Sequence, residues 1–200
     1  MKKINSFLVL LVALSILSGC ISGGHKFNNE KIADLELHKM KKSEYKSIFG
    51  EHPFKITDIY AGGDKYQIVW YHFGYHHFAG NFSFRNLFLE FKNEELNGYM
   101  YASSFADDKT VVNISKVENV KIGVSTRDDV ISVLGKPYGK AFCPSQLSDF
   151  KDNCTKPKEV WEWFMFQHGY ANKLVEKQYV LVMFGEDGKV VDVKAEDVKY

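Results

Sequence analysis

Apolar residues are spaced in three ways along this chain, and each spacing predicts a different element. Phe7 to Leu17 is an eleven-residue apolar stretch, interrupted only by Ser15, behind Lys2 and Lys3. It is too short to span a bilayer comfortably as a helix. Tyr45, Ile48 and Phe49, and later Val130, Val133 and Leu134, fall at i, i+3 and i+4, the stripe of a one-sided helix. Each stripe is followed by a glycine, Gly50 and Gly135, and then by a proline, Pro53 and Pro137. Glycine accepts the positive φ that commonly follows a helix C-terminus. Ser125 with Asp128, or Thr126 with Asp129, supplies an N-cap side chain and a first-turn acid.

The third spacing is short and rich in aromatic and β-branched residues, which favours strands. Val69–Phe73, Asn86–Phe91 and Glu95–Tyr101 form one set, and Val160–Phe164, Tyr179–Phe184 and Lys189–Lys194 form another. Asp187-Gly188 marks a hairpin between the last two segments, and Asn93-Glu94 occupies the corresponding turn earlier. Sliding the sequence by 85 residues overlays Leu37–Gly50 on Ile122–Gly135. The expected class is therefore α+β, a tandem repeat of a helix followed by a three-stranded antiparallel sheet. Residues 35–110 and 111–200 form the two copies, each too small to bury much core alone. The polar, glycine-bearing stretch 20–34 reads as a flexible tether.

The N-terminus carries an address. A basic start, an apolar core and Leu17-Ser18-Gly19-Cys20 have the proportions of an export leader. The Cys20 thiol is the acylatable nucleophile next to the small residues at the cleavage point. This arrangement resembles the bacterial lipoprotein signal, which implies removal of residues 1–19 and acylation of Cys20. Ile21, rather than an aspartate, implies sorting to the outer membrane by the same resemblance. One acyl chain binds marginally, at about 0.8 kcal/mol per buried methylene, whereas two or three anchor a protein stably.

Charge and cysteine usage narrow the function. Lys and Arg number 26 against 25 acids, so nothing favours nucleic acid as a partner. Aromatics make up 15% of the chain, which argues against disorder. Cys143 and Cys154 bracket a polar loop, and an exported chain meets an oxidising compartment, so a disulfide is expected. With no Cys-x-x-Cys knuckle and no histidine between them, zinc is the poorer reading.

A family likeness covers about 75 residues of the second half. Ile122-Gly123, Ser125, Asp128-Asp129-Val130, Val133-Leu134-Gly135-Lys136-Pro137, Val160-Trp161, Val180, Val182, Phe184 and Asp187-Gly188-Lys189-Val190 resemble the SmpA/OmlA (BamE-like) lipoprotein domain. That family consists of small outer-membrane lipoproteins facing the periplasm, and one acts as an accessory subunit of the β-barrel assembly machinery. The tandem arrangement is similar to that of the β-lactamase inhibitor protein family, whose two copies form a concave sheet that grips an enzyme. The chain departs from the pattern in its inserted loop 143–154, in Lys39-Met40 where the first helix would begin, and in Trp163 where tyrosine is more usual. The resemblance implies a non-enzymatic envelope protein that binds other envelope proteins, an accessory factor in outer-membrane protein assembly or envelope integrity. The alternative is a periplasmic inhibitor or binding module that caps an enzyme or a cell-wall component with an aromatic sheet.

Catalytic parts are missing from the sequence: it has no nucleophile elbow, phosphate loop, His-Glu-x-x-His pair or dinucleotide turn. No cofactor is expected. Within Trp70–Phe78, alternation puts Trp70, His72 and His76 on one strand face and Tyr71, Phe73 and Tyr75 on the other. His72, His76 and His77 could attract a divalent metal. No acid or cysteine completes a site, and Gly74 and Gly80 suggest a hairpin tip, so a surface aromatic–histidine loop is expected instead. Trp161 and Phe184 are expected in the core. Tyr66, His72, Tyr75 and Trp163 are expected to be more exposed and to contact a partner.

Overall fold

The computed structural model describes residues 22–76, 82–148, 158–168 and 174–200. Cys20, His77, Gly80 and Cys154 lie outside these residues. The strands are β1 (Ser22–Gly24), β2 (Lys55–Ala61), β3 (Asp64–His76), β4 (Phe82–Lys92), β5 (Glu95–Ser103), β6 (Gly139–Cys143), β7 (Lys158–His168), β8 (Leu174–Phe184) and β9 (Val190–Lys199). The α-helices are α1 (Tyr45–Phe49) and α2 (Arg127–Leu134), with 3-10 turns at Asn29–Asp34, Lys42–Glu44 and Ile114–Asn119. Among the described residues no helix is long and apolar enough to cross a membrane.

The expected pair of helix-plus-three-strand units does not form. One nine-stranded antiparallel sheet runs through the chain in the order β1-β3-β4-β5-β6-β7-β8-β9, with β2 also paired to β3. All six expected strand segments lie in it, but β1, β2 and β6 were not anticipated. Short β6 joins the halves edge to edge, through three residue pairs with β5 and five with β7. The boundary expected near residue 110 falls in the link after β5, yet the sheet continues across it.

The first helix is shorter than the overlay of Leu37–Gly50 on Ile122–Gly135 suggested. Residues 38–42 run along β5 instead of coiling: His38 N–H donates to the Leu96 carbonyl at 2.8 Å and Leu96 N–H to Met40 at 3.0 Å. Helix α1 therefore starts only at Tyr45. Helix α2 begins as its capping residues indicate, with Thr126 Oγ1 accepting from Asp129 N–H and the Asp129 carboxylate accepting from Thr126 N–H at 2.8 Å. Gly50 and Gly135 close the two helices at positive φ.

Alternation along the strands gives the sheet two unlike faces. On the helix-covered face, Val69, Tyr71 and Phe73 pair across from Leu89, Leu87 and Arg85. The apolar members join α1 and the 3-10 turns in one core with Phe49, Tyr99 and Tyr101. In the second half Trp161, Trp163, Val180, Val182 and Phe184 pack with Val130 and Leu134 of α2. Burying each such side chain contributes roughly 1.5–3 kcal/mol. Trp161 and Phe184 are core, as expected.

The stretch 20–34 is ordered from its first described residue rather than acting as a flexible tether. Ser22, Gly23 and Gly24 pair with Tyr75, Gly74 and Phe73. Phe27 and Ile32 are buried in the first core. Two isolated apolar side chains in a polar segment suffice to dock it, because both reach the same cluster.

Candidate functional site

The face opposite the helices carries the surface most suited to recognition. From β3 it presents Ile68, Trp70, His72, Gly74 and His76, paired with Glu90, Phe88, Asn86, Phe84 and Phe82 of β4. The Trp70 and Phe88 rings stack at 5.4 Å and 17°. Phe54, held where its N–H donates to the Trp70 carbonyl at 2.7 Å, meets Trp70 edge-on at 4.6 Å and His72 at 5.3 Å. Phe54 is 53% exposed, while Trp70, His72, Phe82 and Phe88 are half-buried. A continuous aromatic row therefore lies on the sheet with its ring faces and edges accessible.

Its polar handles are fixed. The Asn86 side-chain carbonyl accepts from Trp70 Nε1–H at 2.9 Å and lies 2.8 Å from His72 Nδ1. An amide oxygen only accepts, so His72 donates from Nδ1. Gly74 makes room for a ring, not for a hairpin tip: a Cβ there would sit 2.4 Å from the Phe82 ring. Phe82 instead lies across β3 between His72, at 6.2 Å, and His76, at 4.6 Å.

The sheet curls toward this face at one end. Phe84 on β4 meets His168 on β7 edge-on at 5.2 Å. Strands three places apart in a flat sheet are separated by about 14 Å. Burial holds the His168 imidazole below its ordinary value, and its Nδ1 has no hydrogen-bond partner among the described residues. The aromatic row thus lies on the inside of a curve.

Across the middle of the face, Glu90 clamps the two halves together. Its carboxylate is fully buried and accepts from Asn97 Nδ2–H at 2.6 Å, Ser145 Oγ–H at 3.1 Å, Gln146 N–H at 2.5 Å and Leu147 N–H at 3.2 Å. Asn97 also donates to the Phe142 and Pro144 carbonyls. Burial pushes the Glu90 carboxyl above the usual carboxylate range, outweighing the donors that pull it down. The clamp holds residues 144–147 against the face and offers no solvent-accessible base.

The expected partner-binding residues are not brought together. His72 lies in the aromatic row, and Tyr75 is half-buried on the helix-covered face beside β1. Tyr66 is 1% exposed, because Lys92 lies over its ring at 5.4 Å and is held there by Asp64 at 2.7 Å. Trp163 is also 1% exposed: two residues from Trp161, it shares that residue's helix-facing side. Reading the two tryptophans onto opposite faces contradicted the strand period. The residues that sequence reasoning passed over are Phe54, Phe82, Asn86 and Phe88; the last three find their places once β3 and β4 are paired with His76 opposite Phe82.

Among the described residues no group of three His, Cys, Asp or Glu side chains could hold a metal ion. Cys143 is disulfide-bonded.

No family model matches the chain, and no curated protein matches it. A solved structure from Streptococcus mutans, described as a candidate β-lactamase inhibitor protein, is similar at 12% identity. It covers 86% of this chain and 98% of its own, with a TM-score of 0.46.

Proposed function

We propose that this chain is a lipid-anchored envelope protein that works by binding, holding a loop or strand of another envelope protein against the aromatic row on its open sheet face. The observation that carries this reading is the accessible line Phe54–Trp70–Phe88 with His72 and Asn86 beside it. Aromatic residues with a polar handle give large contact area at low entropic cost and dominate protein–protein hot spots. The leader of residues 1–19, followed by Cys20, supports export and acylation. A capping or inhibitory module suits an inward-curving surface best, and an accessory role in outer-membrane assembly is the other outcome the experiment can return.

The test compares wild type with Trp70→Ala and Phe88→Ala, each carrying a photo-cross-linker at Thr57 and irradiated in intact envelopes. A discrete adduct that both substitutions abolish, while the melting temperature stays near wild type, supports the reading. The identity of the adduct then separates a captured hydrolase from a barrel-assembly subunit. An adduct equally strong in both variants would refute the role of the aromatic row.

A further inference from the structure

We infer that the end of the sheet built from β1, the close of β3 and the start of β4 rests on a phospholipid bilayer, so that the long strands stand away from the membrane. This rests on the acylation of Cys20 proposed above and adds which surface the lipid touches.

The argument is one of reach. Ser22 is paired with Tyr75, and Cys20 is only two residues earlier, at most about 7 Å away along an extended chain. A flexible tether running to residue 34 would have had an r.m.s. span of about 20 Å and would have imposed no orientation. The docking of β1 is built in. Gly24 has φ +76°, and a Cβ there would lie 2.1 Å from the His72 carbonyl oxygen. His25 N–H donates to that same oxygen at 3.1 Å, and Phe27 is buried two residues on. Acyl chains on Cys20 therefore hold this end against the headgroups and leave little freedom to turn.

The side chains here suit an interface. His76 and Lys26 are exposed, and Tyr75 and Phe82 are half-buried. Tyrosine favours the boundary between hydrocarbon and water, and the Phe82 ring adds apolar area beside it. Arg85, near the same end, is neutralised by Asp107 and Asp108, each at 2.7 Å, so charge adds little attraction. Tyr60, 76% exposed, marks the far end: it pairs with Lys65, eleven residues from His76 and so about 36 Å away along β3. Trp70 stands about 17 Å above Tyr75 by the same rise, which displays the aromatic row sideways, toward a partner standing beside the membrane.

The experiment places p-benzoylphenylalanine at position 76 or at position 60 of the full chain. The protein is processed in a Gram-negative host and reconstituted on phosphatidylethanolamine–phosphatidylglycerol vesicles. Intact mass reads acylation of Cys20, and mass spectrometry after irradiation reads phospholipid adducts. The expected result is an acylated chain with adduct at 76, none at 60, and loss of the adduct at 76 when Gly24→Val releases β1. An unacylated, vesicle-free chain would sink the anchor reading and this inference with it. An acylated chain with equal adducts at both positions, or adduct at 60 alone, would leave the anchor standing and overturn the orientation. Undiminished adduct at 76 in Gly24→Val would overturn the role given to β1.

Discussion

Replacing Glu90 by glutamine tests the clamp with little change of shape. One carboxylate oxygen accepts from Asn97, and the other accepts from Ser145, Gln146 and Leu147. A glutamine amide has one acceptor and one donor end, so either orientation sets a donor against a donor. Asn97 cannot turn to help, because its Nδ2 also faces the Phe142 and Pro144 carbonyls. A buried donor left unmade costs about 1–3 kcal/mol, and bonds to a charged acceptor are worth more than neutral ones. Removing a buried charge returns part of that, leaving a net loss of about 2 kcal/mol, or roughly 4–8 °C in melting temperature for a chain of this size. The pH dependence carries a sign. The folded-state pKa of Glu90 is raised, so its contribution to stability is full below the ordinary carboxylate value and declines as pH rises through the folded value. The advantage of wild type over Glu90→Gln should therefore be larger in mild acid than at neutral pH. Urea unfolding across that range, with amide exchange at Gln146 and Leu147, measures both. A variant as stable as wild type, with those amides equally protected, would refute the clamp.

Asp108→Asn should cost about 2–3 kcal/mol by weakening bonds from Arg85 at 2.7 Å, Ser103 at 2.6 Å and Asn29 at 2.8 Å. Although burial pushes the Asp108 carboxyl up, bonds from Arg85, Ser103 and Tyr101 hold it below the usual range. Its stabilisation is present above the ordinary carboxylate value and lost as pH falls toward the lowered one, so coincident acid-unfolding midpoints would count against the network. His168→Phe should keep the edge-on contact with Phe84 while removing stability lost in acid. Burial lowers the folded value of His168, so wild type alone should weaken as pH drops below the ordinary imidazole range, read by denaturation near pH 5 and near pH 7.5. Cys143→Ser should abolish the non-reducing gel shift of the disulfide-bonded chain. If Cys154 is the partner, it should also cost about 3 kcal/mol for a loop of about a dozen residues, and an unchanged melting temperature would argue against that pairing.

What the sequence showed and what it hid follow one division. Period-two alternation sorted Trp70, His72 and His76 from Tyr71, Phe73 and Tyr75, and the pairings agree. Local rules also placed the Thr126 cap and the turn at Asn93-Glu94, whose two residues take positive φ. The missing parts depend on partners far along the chain. Tyr66 is covered by Lys92, the 20–34 stretch is docked by a cluster assembled from three strands and a helix, and β6 (Gly139–Cys143) alternates small and large residues too briefly to stand out. The hairpin at Asp187-Gly188 is real but longer than two residues: Gly185 N–H donates to the Lys189 carbonyl at 2.8 Å. Gly74 misled because its reason is a ring from the next strand.

The five residues of β6 have a mechanical consequence. Only three residue pairs stitch β5 to β6, against eleven between β3 and β4, so the molecule has a seam. A load applied between an anchored N-terminal edge and a partner pulling on β9 would cross the strands sideways and open bonds one after another. The three pairs of β1 with β3 lie at the loaded edge itself; inside the sheet, rupture would start at that seam, with Glu90 and Asn97 as its rivets, and would part the N-terminal half from the C-terminal one.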